Sequence, residues 1–157
     1  MNAPPPGALT TSIQLRWADT DRYGHVNNAT WLRYVEEARS RTFGFSDLPD
    51  TADPARPPAL AVLGPGTFTI TAAARLEYVA ELAYHGQAVL ADVWLSQIGS
   101  KSIEMAFRFC DEARTTVYLL AQVTQVVCDV ATRRPRALNA AELAALEPYR
   151  GHRLSFR

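Results

Sequence analysis

Ten consecutive residues gather the reactive side chains of this chain: Asp19, Thr20, Asp21, Arg22, Tyr23, Gly24, His25, Val26, Asn27 and Asn28. The run begins as a polar turn and ends at the start of a helix. A helix N-terminus carries unpaired N–H groups and a partial positive charge. Aimed at a carbonyl oxygen, those donors stabilise an oxyanion. A carboxylate a few residues upstream can attack the same carbonyl carbon, or activate water to do so. One short segment therefore offers both a negative group and an electrophilic hole. Gly24 permits a tight turn or a close backbone approach to a ligand.

The flanking elements follow from periodicity. Ile13, Leu15 and Trp17 alternate with Gln14, Arg16 and Ala18, which predicts a half-buried strand ending at Asp19. From about Asn28 to Phe43 the period is helical. Trp31, Tyr34, Val35 and Ala38 share one face, while Arg33, Glu36, Glu37 and Arg41 occupy the others. Asn27 or Asn28 is a natural N-cap and Gly44 a natural stop, giving about four turns. The stretch 46–66, with Pro49, Pro54, Pro57, Pro58 and Pro65, reads as an irregular connection with a short helical turn. Alternation then predicts strands at Phe68–Tyr78, Val89–Ile98, Ile103–Phe109 and Val117–Val130. Ala140–Leu146 reads as a short closing helix. The arrangement is α+β: a disordered lead-in over 1–11, then a single domain over 12–157. One helix cannot cover both faces of a five-stranded sheet, so an edge or face is left to a second subunit.

Composition narrows the function. The 157 residues are 48% hydrophobic and 20% charged, with 16 basic and 16 acidic side chains. A neutral chain lacks the basic excess that nucleic-acid binding needs. No run of roughly 18 apolar residues is present to cross a membrane. The N-terminal residues lack the pattern of a signal peptide. Cys110 and Cys128 are too few for a disulfide framework or a four-Cys zinc site. A hairpin around 111–116 places Cys110 opposite Val117, with Cys128 roughly 35 Å further along. Buried, inert thiols in a cytoplasmic protein are the simplest reading. His85 and His152 stand in no zinc-like spacing, so no metal site is expected.

DTDRYGHVNN, followed by ATWLRYVEEAR, resembles the signature of hot-dog-fold acyl-CoA thioesterases of the 4-hydroxybenzoyl-CoA thioesterase type, in a GHVNN variant. The resemblance continues through LEYVAELAYHGQAVLADVWLSQIGSKSIEMAFRF and VVCDVATRRPRALNAAELAALEPY, and covers nearly all of residues 13–149. It departs at Glu81, where proline is common, and at Gln87, where an acid often follows the glycine. Both departures are expected on a loop away from the motif. Asp111–Thr116 also lacks the usual glycine.

The resemblance implies a hot-dog fold: a long central helix wrapped by a five-stranded antiparallel sheet, joined edge to edge in a homodimer or homotetramer. It implies hydrolysis of an acyl-CoA substrate at the subunit interface, with no cofactor beyond the CoA of the substrate. Asp21 aligns with the catalytic carboxylate, as nucleophile or general base. The Asn28 N–H aligns with the donor to the thioester carbonyl. His25, peculiar to the variant motif, either orients the loop or contacts substrate. Lys101 and Ser102 stand where such proteins contact the CoA chain or its phosphates.

Each assignment has a plainer counterpart. Asp21 can be a turn residue, Asp19 a loop-bonding one, and Asn27 and Asn28 helix caps. Tyr23 can line the acyl pocket or simply be exposed. Lys101 can be a solvated hairpin lysine. Arg133 and Arg134 suit a nucleotide phosphate or plain solubility. Trp31, Phe43, Phe107 and Phe109 read as core, and some of them can line an acyl pocket. The competing functions are a hot-dog enoyl-CoA hydratase or dehydratase, and a non-catalytic acyl-CoA-binding module.

Overall fold

Seven strands and α-helices follow one another among the described residues: β1 Leu9–Gln14, α1 Asn28–Thr42, β2 Thr67–Tyr78, β3 Ala88–Ile98, β4 Ser102–Cys110, β5 Val117–Asp129 and α2 Ala140–Leu146. The computed structural model describes residues 3–44 and 59–157. Pro49, Pro54, Pro57 and Pro58, expected in an irregular connection, lie outside the described residues. Just after them, Ala59–Leu63 makes the expected short helical turn.

The strands form one antiparallel sheet in the order β1-β3-β4-β5-β2. Neither edge strand pairs with its neighbour in sequence. The hairpin register places Cys110 opposite Val117, as the spacing implied, and both cysteines are free and buried. Burial pushes the Cys110 thiol up, away from the thiolate a nucleophile needs.

The inner face of the sheet holds the main core. Helix α1 presents Trp31, Tyr34, Val35 and Ala38 to it, the i, i+3, i+4, i+7 spacing of one helical stripe. Those side chains pack in one cluster with Ile13, Leu15, Val93, Phe107 and Leu119. Each large side chain so buried contributes about 1.5–3 kcal/mol. Trp31 meets Phe109 of β4 edge to face at 5.4 Å between ring centres.

Three expectations need correction. A long central helix is not found: α1 has 15 residues, and its backbone lies nearest β1 and β3, toward one side of the sheet. The first strand is also displaced. It starts at Leu9, inside the supposed disordered lead-in, because Thr10 pairs with Asp92 on β3 and donates its hydroxyl to that carboxylate at 2.8 Å. At its other end, Trp17 is 77% exposed rather than half-buried in a strand. A 3₁₀ turn, Trp17–Asp19, replaces the strand there, and Arg16 N–H donates to Asp19 Oδ2 at 3.0 Å. Alternation is lost as soon as that turn begins.

Part of the outer face of the sheet, around Trp94 and Leu120, is covered by residues 151–156. Gly151 N–H donates to Leu95 O at 2.8 Å, and Trp94 Nε1 donates to His152 O at 2.8 Å. Leu154 and Phe156 pack against Cys110, Val117 and Leu120, while the Arg75 guanidinium stacks on Phe156 at 4.3 Å. Gly151 is required by close approach. A Cβ there would stand 2.3 Å from Pro5 Cγ and 2.5 Å from Trp94 Cδ1. The edge strand β2 is left open, with Ile70 48% exposed. No helix among the described residues is long and apolar enough to cross a membrane.

Candidate active site

The reactive loop is held from both ends. Upstream, Asp19 bonds the loop as its plainer reading had it. Its carboxylate accepts the Tyr34 hydroxyl at 2.7 Å, and its carbonyl accepts the Asn27 N–H at 2.9 Å. Burial, then the Asp19 carboxylate, pushes the Tyr34 hydroxyl up, so it remains a protonated donor. A Tyr34→Phe protein is expected to lose about 1 kcal/mol, roughly 2–4 °C in Tm, in a thermal melt.

Downstream, Gly24–Val26 forms a short ladder with Leu82–Tyr84, the segment between β2 and β3. His25 bridges Ala83, Val26 N–H donates to Leu82 O at 2.9 Å, and Tyr84 N–H donates to Gly24 O at 3.3 Å. Gly24 has φ +79° with open space around a Cβ, so backbone conformation, not crowding, selects glycine.

Asp21 sits in the bend. Its Oδ1 accepts the Tyr23 N–H at 2.8 Å, and its backbone N–H donates to His25 O at 2.9 Å. Among the described residues nothing donates to Oδ2, so one carboxylate oxygen is fixed and the other is available.

Asn27, not Asn28, is the N-cap. Its Oδ1 accepts the Ala29 N–H at 2.8 Å, and its carbonyl accepts the Thr30 N–H at 2.9 Å. Asn28 is the first helical residue. Its N–H has no acceptor among the described residues, while its carbonyl accepts the Tyr78 hydroxyl at 3.1 Å. The cap thus satisfies its neighbours and leaves the Asn28 donor unused.

Asp21, Tyr23, His25 and Asn28 all line one cleft of about 500 Å³. That size suits a small-molecule site. Trp31, read from the sequence as core or as pocket lining, forms part of the lining. The Arg22 guanidinium lies over the Tyr23 ring at 4.9 Å. The far wall is Tyr78–Leu82, which the sequence reading did not include. Glu81 is the correction that matters most. It was expected on a loop away from the motif, yet its Oε2 lies 3.4 Å from His25 Nε2. The ladder between Gly24–Val26 and Leu82–Tyr84 folds that loop onto the motif, and no local sequence signal marks such a pairing.

Within one chain, Lys101 and Ser102 do not join this cleft. They lie at the start of β4, whereas the cleft abuts the other end of the sheet, where Tyr78 pairs with Leu119. The nine residues of β4 separate those ends by roughly 26 Å. Arg133 and Arg134 follow the end of β5, on the same distant side as Lys101. No group of three or more His, Cys, Asp or Glu side chains placed to hold a metal occurs among the described residues.

Comparison with known proteins agrees with this architecture. A predicted thioesterase from Bacillus stearothermophilus superposes with a TM-score of 0.73 at 22% identity, over 93% of this chain and 98% of that one. A Thermus thermophilus thioesterase complexed with coenzyme A and zinc gives 0.68 at 23% identity, over 94% and 97% of the two chains. The DHNA-CoA thioesterase of Staphylococcus aureus gives 0.68 at 16% identity, over 90% and 88%. No curated protein matches the chain in sequence. The family model of the thioesterase-like superfamily matches residues 15–146, from the end of β1 to the end of α2. That span holds the whole reactive loop and four of the five strands, and the chain belongs to the thioesterase-like superfamily, with its hot-dog fold.

Proposed function

We propose that this chain hydrolyses acyl-CoA thioesters to a free acid and CoA. The observation that carries the reading is the pairing of two unused groups in one cleft: Asp21 Oδ2 and the Asn28 N–H. The acyl carbonyl oxygen points at the Asn28 N–H, where the α1 dipole adds to the donor. Asp21 Oδ2 then attacks the carbonyl carbon. The C–S bond breaks, CoA leaves as thiolate and takes up a proton, and water hydrolyses the resulting anhydride. In the alternative course Asp21 takes a proton from water, and the water attacks directly. Both courses use the same two groups, and neither calls for a metal or an organic cofactor. Tyr23, Gly24 and Asn27 shape the substrate side of the loop, within a GHVNN variant of the motif.

The active form in this reading is a homodimer, alone or paired into a homotetramer. The open edge of β2 suits pairing with a second copy. Antiparallel pairing of two β2 edges brings the distant end of one sheet beside the cleft of the other. Lys101, Ser102, Arg133 and Arg134 of the second copy then stand near the CoA end of the substrate, where cations suit phosphates.

Free-thiol release from short, long and aromatic acyl-CoAs tests the activity. Turnover of at least one class is the expected result. No release from any member sinks the reading for CoA esters, and enoyl-CoA hydration becomes the next assay.

A further inference from the structure

The cleft has a second carboxylate, and it bears on which acyl groups can enter. Glu81 is placed by the backbone ladder that docks Gly24–Val26 on Leu82–Tyr84, so its approach to His25 is set by the fold. The His25 and Glu81 side chains are 34% and 79% exposed, with 3.4 Å between Nε2 and Oε2. An ion pair this exposed adds little to stability. Its effect falls instead on the charge of the cleft. Asp21 and Glu81 line the same cavity, and no Lys or Arg is among its described lining residues. The nearby Arg22 is engaged with Tyr23, whose hydroxyl it meets at 2.9 Å. Within one chain the cleft therefore stays net negative whether or not His25 carries a proton, and in the proposed dimer the second copy's cations stand at the CoA end of the substrate rather than among these lining residues. Apart from Asn28, the rest of the lining, Val26, Trp31, Tyr78, Val79, Ala80 and Leu82, is apolar or aromatic.

We infer that Glu81 is a specificity-determining residue that restricts the cleft to acyl groups without negative charge. The inference rests on the thioesterase reading and adds the substrate class to it. An acyl chain ending in a carboxylate would place a third negative charge beside Asp21 and Glu81, where like charges repel. An alkyl or aryl group of the same size meets Trp31, Tyr78 and Leu82 instead. Discrimination of this kind comes from rejecting the wrong ligand rather than from gripping the right one.

The test is a matched pair, pentanoyl-CoA and glutaryl-CoA, which differ only in the terminal carboxylate. The wild-type protein is expected to favour pentanoyl-CoA in kcat/KM by about tenfold or more. In Glu81→Gln the ratio should narrow by about threefold, chiefly through a gain on glutaryl-CoA. Glu81 is exposed, so the variant is expected to fold as wild type does, and a thermal melt checks it. Equal use of the two thioesters by wild type, or a ratio unchanged in Glu81→Gln, overturns the inference. Where neither thioester is turned over, equilibrium binding of the same pair to the same two proteins reads the discrimination directly. In that case tighter pentanoyl-CoA binding, relaxed by Glu81→Gln, upholds the role of Glu81 while the hydrolytic reading fails. Binding of neither overturns both.

Discussion

Asp21→Asn is expected to leave a folded protein that releases thiol about 10²–10⁴-fold more slowly than wild type. In activation energy that is about 3–5 kcal/mol. The variant is a clean one because the loop contact survives. Asn retains an Oδ1 that accepts the Tyr23 N–H, the bond Asp21 makes at 2.8 Å. Only the negative charge is lost, and with it attack or proton abstraction. Loss of activity with an unchanged melting curve assigns the charge to the reaction. Full activity in Asp21→Asn removes Asp21 from the chemistry and leaves it a turn residue.

The second large effect concerns a backbone atom, which ordinary side-chain replacement does not reach. Asn28→Pro deletes the N–H itself. Proline is well tolerated as the first residue of a helix, since that N–H has no partner within the helix. The preceding residue must be extended, and Asn27 already has φ −62° and ψ 140°. The expected result is a folded helix with kcat lowered by about 10²–10³-fold, the usual effect of losing one oxyanion donor. Asn28→Ala is the control: it removes the side chain, keeps the N–H and should remain far more active. Equal losses in the two variants would place the role in the side chain instead.

How much of this was legible in the sequence depends on whether the signal was local. Four strands and both helices fall close to where alternation and helical spacing put them, because each follows from residues within one element. The reactive loop was legible too. Asp21, Tyr23, His25 and Asn28 are neighbours in the chain, and a strand-to-helix junction holds them together. Leu9 was missed because its strand depends on β3, more than seventy residues away. Trp17 was misread because the strand ends at Gln14 and a 3₁₀ turn held by the Asp19 carboxylate takes up Trp17. Glu81 was placed far from the motif because its position comes from a three-residue ladder with Gly24–Val26, which leaves no periodic trace. Lys101 and Ser102 share that difficulty in another form. Their distance from the cleft follows from sheet direction, and local pattern does not report it.

The sheet order has a consequence for how the chain assembles in time. β3, β4 and β5 follow one another as a meander, so their pairings close short loops and can form early. Both outer strands must wait: β1 for β3, and β2 for β5. During synthesis the segments carrying Asp21 and the start of α1 are made first, yet they have no sheet to dock on until β3 follows. Residues 152–156, which cover Trp94 and Leu120, follow every strand in the chain and are made after all of them. Until they arrive, a broad face of the sheet is exposed to other chains. A chain whose strands have paired but whose residues 151–156 have not yet docked is thus at its most aggregation-prone stage.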